Sequence, residues 1–323
     1  MKAQSEEQVS QTGTGASGRF VNALLVAGIL LLNAGIYFLL PSLHLRPWAA
    51  LISIACAALS TPLFWALVHE AIHGGLWPER RVNRALGRLL AVIFGAPFMV
   101  LRAGHLMHHR RNRSRLDRTE VYDPAVKSWW QHAAVYYPRL LGGLYLVEVA
   151  SGLLGWLPQT SLRRLLARQF HAVDQPERQE RLLIQSELLG ARALRAWRVD
   201  ALLVVLLFAS AFAVYGSEAY LLVFYLVLRG LSVSLLDNSY HYATALDETR
   251  FAMNLRLPRL LGFTMLHFNL HGVHHAHVRA SWHELQALFQ GGEWHYHGSL
   301  PVQVLRQLRG PIPITALSRP NGR

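Results

Sequence analysis

Cysteine is almost missing from this chain: Cys56 is the single one among 323 residues. A disulfide framework within one chain, a cysteine-ligated zinc site and a cysteine-attached haem are all excluded. Cys56 lies inside an apolar block, which fits a small buried hydrophobe. No Gly-rich dinucleotide fingerprint follows a strand-like run, so a built-in nicotinamide or flavin fold is not expected either. Acidic residues are scarce as well, 19 Asp and Glu against 32 Lys and Arg, which leaves a formal charge of +13. Such an excess can mark a nucleic-acid binder, but the basic residues here adjoin apolar blocks and line no aromatic-interleaved groove. Anionic lipid headgroups account for them better, and no nucleic-acid partner is expected.

What the chain does have is apolar residue, 52% of it, gathered in blocks separated by Arg-rich and His-rich stretches. Residues 20–40 and 48–68 each approach the roughly 20 residues needed to cross a hydrocarbon core. Only the short link Pro41 to Pro47 separates them, so they read as a helical hairpin. A second pair, 201–215 and 219–236, is parted by Gly216, Ser217 and Glu218, its first member being short for a span. Residues 1–18 read as a disordered polar tail. The apolar run behind them is too long for the core of a cleaved signal and reads as an anchor. Residues 291–323, with Gly310, Pro311, Pro313 and Pro320, read as a C-terminal extension that wraps the cytoplasmic domain.

Positive charge orients this layout. Arg80, Arg81, Arg84, Arg110, Arg111, Arg113, Arg115 and Arg118 follow the first hairpin, and Arg163, Arg164, Arg168, Arg192, Arg195 and Arg198 precede the second. Both groups favour the cytoplasmic side. A single crossing by the apolar stretch 135–157 would part them, so it reads as interfacial or re-entrant, as does 89–101 with its Pro97. The expected fold is an all-α integral-membrane protein with four spans in two hairpins and a cytoplasmic helical cap.

Seventeen histidines are present, and many fall in clusters at the expected membrane exits. His69 and His73, in HExxH, share a helix face at i, i+4. His105, His108 and His109 do so at i, i+3 and i+4, and His271, His274 and His275 repeat that spacing. HExxH alone is also the zinc-protease signature, with Glu70 as general base. A protease leaves both HxxHH boxes unexplained, and a metal count separates the readings. A non-enzymatic lipid- or metal-binding membrane protein is the third reading, and it predicts no oxygen consumption. Beyond the last span, Asp237 and His241 share a helical face. His241 reads as an additional ligand, and Asp237 as a ligand or a partner to one. Glu70, Asp117, Glu120, Asp123 and Glu284 are candidates to fix the imidazole tautomers. His267, His277, His283, His295 and His297 read as structural or surface groups, and the tryptophans near the exits as interfacial anchors.

With an HxxxH box, two HxxHH boxes and two hairpins, the stretch from about 20 to 290 resembles the membrane fatty acid desaturase and hydroxylase superfamily. The resemblance implies two iron ions in a cytoplasmic cap, O2 as co-substrate and a lipid or fatty acyl substrate. Its ligand set, mapped here, is His69, His73, His105, His108, His109, His241, His271, His274 and His275. Some relatives place an asparagine, bound through water, where this chain has Asp237. Desaturation, hydroxylation and ketolation can share one such centre, and carotenoid ketolases and alkane hydroxylases are the nearest rivals. The two HxxHH boxes and the short spacing from Asp237 to His275 favour an acyl-chain desaturase. Electrons are expected from a separate ferredoxin, rubredoxin or cytochrome b5 type carrier, docked by the Arg-rich surface.

Overall fold

Apolar runs that carry little charge meet their backbone hydrogen bonds internally by coiling. The computed structural model, which describes residues 16–169, 175–246 and 248–317, is accordingly helical, with four strands of two residues each among the described residues. Helix α1 is Ala16–Ala34, carried on by tighter and looser turns so that Ser17–Leu43 forms one 27-residue apolar stretch. The helix therefore starts inside the expected tail, whose residues 1–15 lie outside the described residues. Helices α2, Pro47–Ala58, and α3, Thr61–His73, make a second 27-residue stretch. Both are long and apolar enough to cross a membrane.

Helices α4, Arg80–Phe94, and α5, Phe98–Arg111, meet at a bend of 100°. Gly95 makes that bend: it caps α4 with φ 111°, its N–H reaching the carbonyls of Ala91 and Val92, and Pro97 opens the next helix. The pair is a broken span or a re-entrant loop, and the second of these is the form expected for 89–101. Helices α6, Trp129–Pro138, and α7, Leu144–Leu154, are likewise kinked apart, by non-helical Leu141 and Gly142. A straight helix over 135–157 is thus absent. Helices α8, Gln159–Gln169, and α9, Gln175–Leu189, follow.

The third apolar stretch, Ala191–Ser239, runs 49 residues and holds α10, Ala191–Tyr215, and α11, Ala219–Ser239. Gly216, at φ 52°, breaks it. Tyr37 packs on both Phe208 and Tyr225, which places the two helices side by side as a hairpin. The helix beginning at Ala191 corrects the short span expected from Ala201. Charges that lower the local hydropathy there are answered by neighbours: Asp200 pairs with Arg88, and Arg198 donates to the Gly155 carbonyl.

Short elements complete the fold: α12, Arg259–Phe263; α13, His271–Ala276; α14, Trp282–Gly291; α15, Leu300–Arg306; and α16, Ile314–Leu317. Strand β1, Val121–Tyr122, pairs in parallel with β4, Ile312–Pro313, and β2, Leu255–Arg256, with β3, Gly298–Ser299. The segment after residue 291 is stitched to the end of α11, since Gln307 bonds Asn238 and the Leu235 carbonyl, and Gln303 bonds the Tyr242 carbonyl. The main core surrounds α3, whose residues Phe64 to Ile72 are all buried.

Candidate metal centre

Local sequence explains how each box is presented. Helix α3 ends just past His73 because Gly74 adopts φ 86° and Gly74 and Gly75 return their N–H groups to Ala71 and Glu70. His69 and His73 therefore lie in its final turns. His105, His108 and His109 ride the last turns of α5, and His241 follows the end of α11, in a turn closed by its N–H to the Asn238 carbonyl. The third box occupies α13.

These elements bring their imidazoles into two groups. His69, His73, His105, His109 and His274 form one, His108, His241, His271 and His275 the other, and within each group the ligand atoms lie within 4.8 Å of one another. The groups abut, with the His109 and His275 rings 4.3 Å apart. Six of these histidines, His69, His105, His241, His271, His274 and His275, are buried.

Ring nitrogen faces ring nitrogen throughout. The Nε2 atoms of His105 and His73 stand 2.9 Å apart, those of His109 and His105 3.0 Å, and those of His274 and His109 3.1 Å. In the second group His275 Nε2 is 3.2 Å from both His108 and His271. A neutral imidazole owns one N–H and one lone pair, so a nitrogen facing two others cannot satisfy both by hydrogen bonding. Nε2 of His69 and both ring nitrogens of His241 are buried without any partner. A cation at each convergence point would take all these lone pairs at once, and an all-imidazole donor set suits first-row divalent ions, iron included.

Protonation agrees with that use. Burial first, and neighbouring imidazoles second, hold His241, His271 and His274 well below the usual imidazole range; burial likewise lowers His275. They are neutral, the form that ligates.

The carboxylates expected to orient the rings divide. Asp117 Oδ2 accepts from His108 Nδ1 at 2.7 Å, and since a carboxylate only accepts, the proton sits on Nδ1 and Nε2 points into the second group. Glu120 instead closes on Arg113 at 2.6 Å, both buried. Glu70 takes the Trp282 N–H at 3.3 Å, Asp123 is exposed and caps the Ala125 N–H, and Glu284 forms the capping box of α14 with Ser281. Asp237 falls outside both histidine groups; it lines a small cavity with His108, His241, Asp117 and Arg139.

Several arginines assigned to lipid headgroups are spent inside the fold: Arg110 and Arg111 hold the buried Glu180 of α9, and Arg115 holds Glu177. Sequence reasoning missed Arg113, which ties the segment after the second box to the Thr244 carbonyl just beyond His241. Nothing in its sequence context set it apart from its neighbours. On the side facing the apolar helices the centre is walled by Phe268, whose ring is 4.8 Å from His69 and 4.6 Å from His271, and by Tyr240 at 4.7 Å from His271.

Compared with known proteins, residues 45–299 match the family model described as fatty acid desaturase. No curated protein matches the chain.

Proposed function

Since the chain belongs to the fatty acid desaturase family, whose members are histidine-ligated di-iron enzymes of membranes, we propose that it introduces a double bond into the acyl chain of a lipid or fatty acyl substrate with O2 as oxidant. The observation that carries this reading is the convergence of nine histidines as a five and a four. In it, the five imidazoles hold one iron and His108, His241, His271 and His275 the other, with Asp117 fixing the His108 ring and Asp237 acting from the cavity beside it. An iron pair so held supplies the means to reduce O2 and to take hydrogen from an unactivated carbon. The chain's own part is placement and dryness: Phe268, Tyr240 and Trp65 pack against the ligand rings and keep water from the face where substrate lies.

The proposed topology has four spans, α1, the α2–α3 stretch, α10 and α11, with the bent α4–α5 pair re-entrant and the metal centre in a cytoplasmic cap. Running the bend as re-entrant keeps both Arg-rich groups on one side. Residues 19–290 then form the desaturase unit and 291–323 an extension over the cap. A zinc protease built on HExxH fits poorly, because its general base must face the metal-bound water and Glu70 is turned to the Trp282 backbone. Electrons come from a separate acidic carrier of the ferredoxin, rubredoxin or cytochrome b5 type; turnover indifferent to salt, with a saturating acidic donor, would count against docking on the Arg-rich face.

The test is lipid and fatty acid profiling of cells that make the intact chain beside a His108→Ala, His274→Ala variant. A new unsaturated species with the intact chain alone supports desaturation. A new oxygenated one identifies a hydroxylase or ketolase on the same centre, and no new species overturns the reading.

A further inference from the structure

Two elements feed both histidine groups at once. On α5, His109 belongs to the group of five and His108 to the group of four; on α13, His274 and His275 divide in the same way. The spacing between the groups therefore depends on how firmly these two turns are held, because rotating either one moves a ligand of each group.

The last turn of α5 gets its hold from outside the helix. Helices α3 and α4 end on glycines in the left-handed region, whose N–H groups return to the final carbonyls. Helix α5 ends instead at Asn112, with φ −45° and ψ 130°. An end without a left-handed cap is prone to fray. Asn112 and Arg113 anchor the chain past the helix, on the Thr249 and Thr244 carbonyls. The turn itself closes with Arg110 and Arg111, and both reach one carboxylate of α9. Glu180 Oε1 accepts from Arg110 Nε at 3.0 Å and Nη2 at 2.7 Å, and Oε2 accepts from Arg111 Nε at 3.0 Å. Arg111 Nη2 also donates to the Pro176 carbonyl, and Glu187 stands 3.5 Å from Arg110. The Glu180 side chain has no exposed surface. A carboxylate so buried is tolerated when its oxygens are paired, as both are here. Apolar contact seats the same helix: Ile184 and Leu188 of α9 share a buried cluster with Ala103 of α5, and Met107 packs against it.

We infer that Glu180 is a positioning residue for the metal pair: through Arg110 and Arg111 it holds the final turn of α5, and so sets the spacing between the two sites. The inference rests on the proposed di-iron reading and extends it to α9, a helix that supplies none of the nine histidines. Glu177, one turn earlier on α9, provides the comparison. It makes a two-armed pair with Arg115, which lies beyond the end of α5 and past the separately anchored Asn112 and Arg113. Losing Glu177 removes an ion pair of the same kind from the same helix without releasing a turn that bears ligands.

The test is X-ray absorption at the iron edge on full-length iron-loaded protein in nanodiscs, beside chelator competition with ferrous iron. The wild-type chain is expected to show an iron–iron scattering shell. Glu180→Gln keeps the size but sets an amide N–H2 where an oxygen accepted, and Arg111→Met is a milder break that leaves Arg110 on Glu180. Both should lengthen or smear the shell, and Glu180→Gln should weaken both iron sites by about tenfold, the low end for outer partners of a metal ligand. Glu177→Gln should leave shell and affinities as in the wild type. A shell and affinities unchanged in the Glu180 and Arg111 variants overturn the inference, as does an equal change in Glu177→Gln, which marks a general loosening of the fold. If Glu180→Gln does not fold, Arg111→Met decides on the same terms. A wild-type chain with no iron–iron shell overturns the di-iron reading itself, so the two failures are told apart.

Discussion

Asp117 offers the sharpest perturbation of the centre. Its Oδ2 lies 2.7 Å from His108 Nδ1, and the His108 Nε2 that this bond aims is 3.2 Å from that of His275. Removing the carboxylate frees the ring to rotate and to take the wrong tautomer, while the five-histidine group, which lacks His108, keeps every ligand. Loss of such an outer partner typically weakens metal binding by about 10- to 100-fold, or ~1.4 to 2.7 kcal/mol at 1.4 kcal/mol per tenfold. Asp117→Ala is therefore expected to lower affinity at one of two iron sites only. Asp117→Asn keeps an acceptor for Nδ1 but loses the charge, and it should fall between the two. Chelator competition with ferrous iron on purified protein reads both steps, with exposed Asp123→Ala as the control that changes neither. Two sites of undiminished affinity in Asp117→Ala would refute the argument, and so would equal weakening of both.

Two further outcomes follow from buried charge. Arg229 on α11 is fully buried and bonds Asn33, Tyr37, Tyr225 and the Phe94 carbonyl, so it ties α1, α4 and α11 together where α4 ends at the bend. Arg229→Met should cost about 2 kcal/mol, less than full loss of a buried network, because Phe94 O and Asn33 Oδ1 keep donors in Tyr145 and Tyr225. A thermal midpoint unchanged or raised in detergent contradicts it. The second outcome concerns acid. His241, His271, His274 and His275 are held below the ordinary imidazole value of 6.5, chiefly by burial, so the unfolded chain binds more protons than the folded one once pH drops below that value. Stability of metal-free protein should hold at pH 8 and fall progressively below about 6.5. Midpoints that match at pH 8 and 5.5 would show that these rings are not desolvated in solution.

How much of this was legible in the sequence depends on the range of the interaction. The boxes could be read because i, i+3 and i+4 spacing is a property of one helix, and all nine histidines named from spacing and resemblance stand in the two groups. The apolar stretches could be read for the same reason, and the bend at Pro97 because proline and glycine act locally. Asp117 could be named as a candidate, but which of the carboxylates orients a ring could not be read. Asp117, Glu120 and Asp123 all follow the second box closely, but β1 pairs with Ile312–Pro313, nearly two hundred residues on, and that pairing accompanies Glu120 turned to Arg113 and Asp123 turned to solvent. The start of α10 was misplaced because Asp200 and its arginines look unfavourable until Arg88 and the Gly155 carbonyl are seen beside them. Unpartnered atoms such as those of Thr61 and Trp65 are invisible in principle, since they are defined by what surrounds them.

The scarcity of acid in the centre raises an electrostatic question, since neutral imidazoles give a metal pair less compensation than carboxylates would. Helix ends supply part of the answer. His73 lies in the last turn of α3, His108 and His109 in that of α5, and His274 and His275 in that of α13, while His241 directly follows α11. Six of the nine histidines thus lie at or just past the C-terminal ends of four helices, where carbonyls carry partial negative charge, while His271 opens α13. Each such end is worth about 0.3 to 1 kcal/mol to a nearby cation at the surface and up to ~2 when partly buried. Four ends acting together favour cations at the centre, and Asp117 and Asp237 line the cavity beside His108 and His241 of the second group. That placement leaves the four-histidine group leaning on its acids and the five-histidine group on ligand number, which is why removing Asp117 should weaken one site and spare the other.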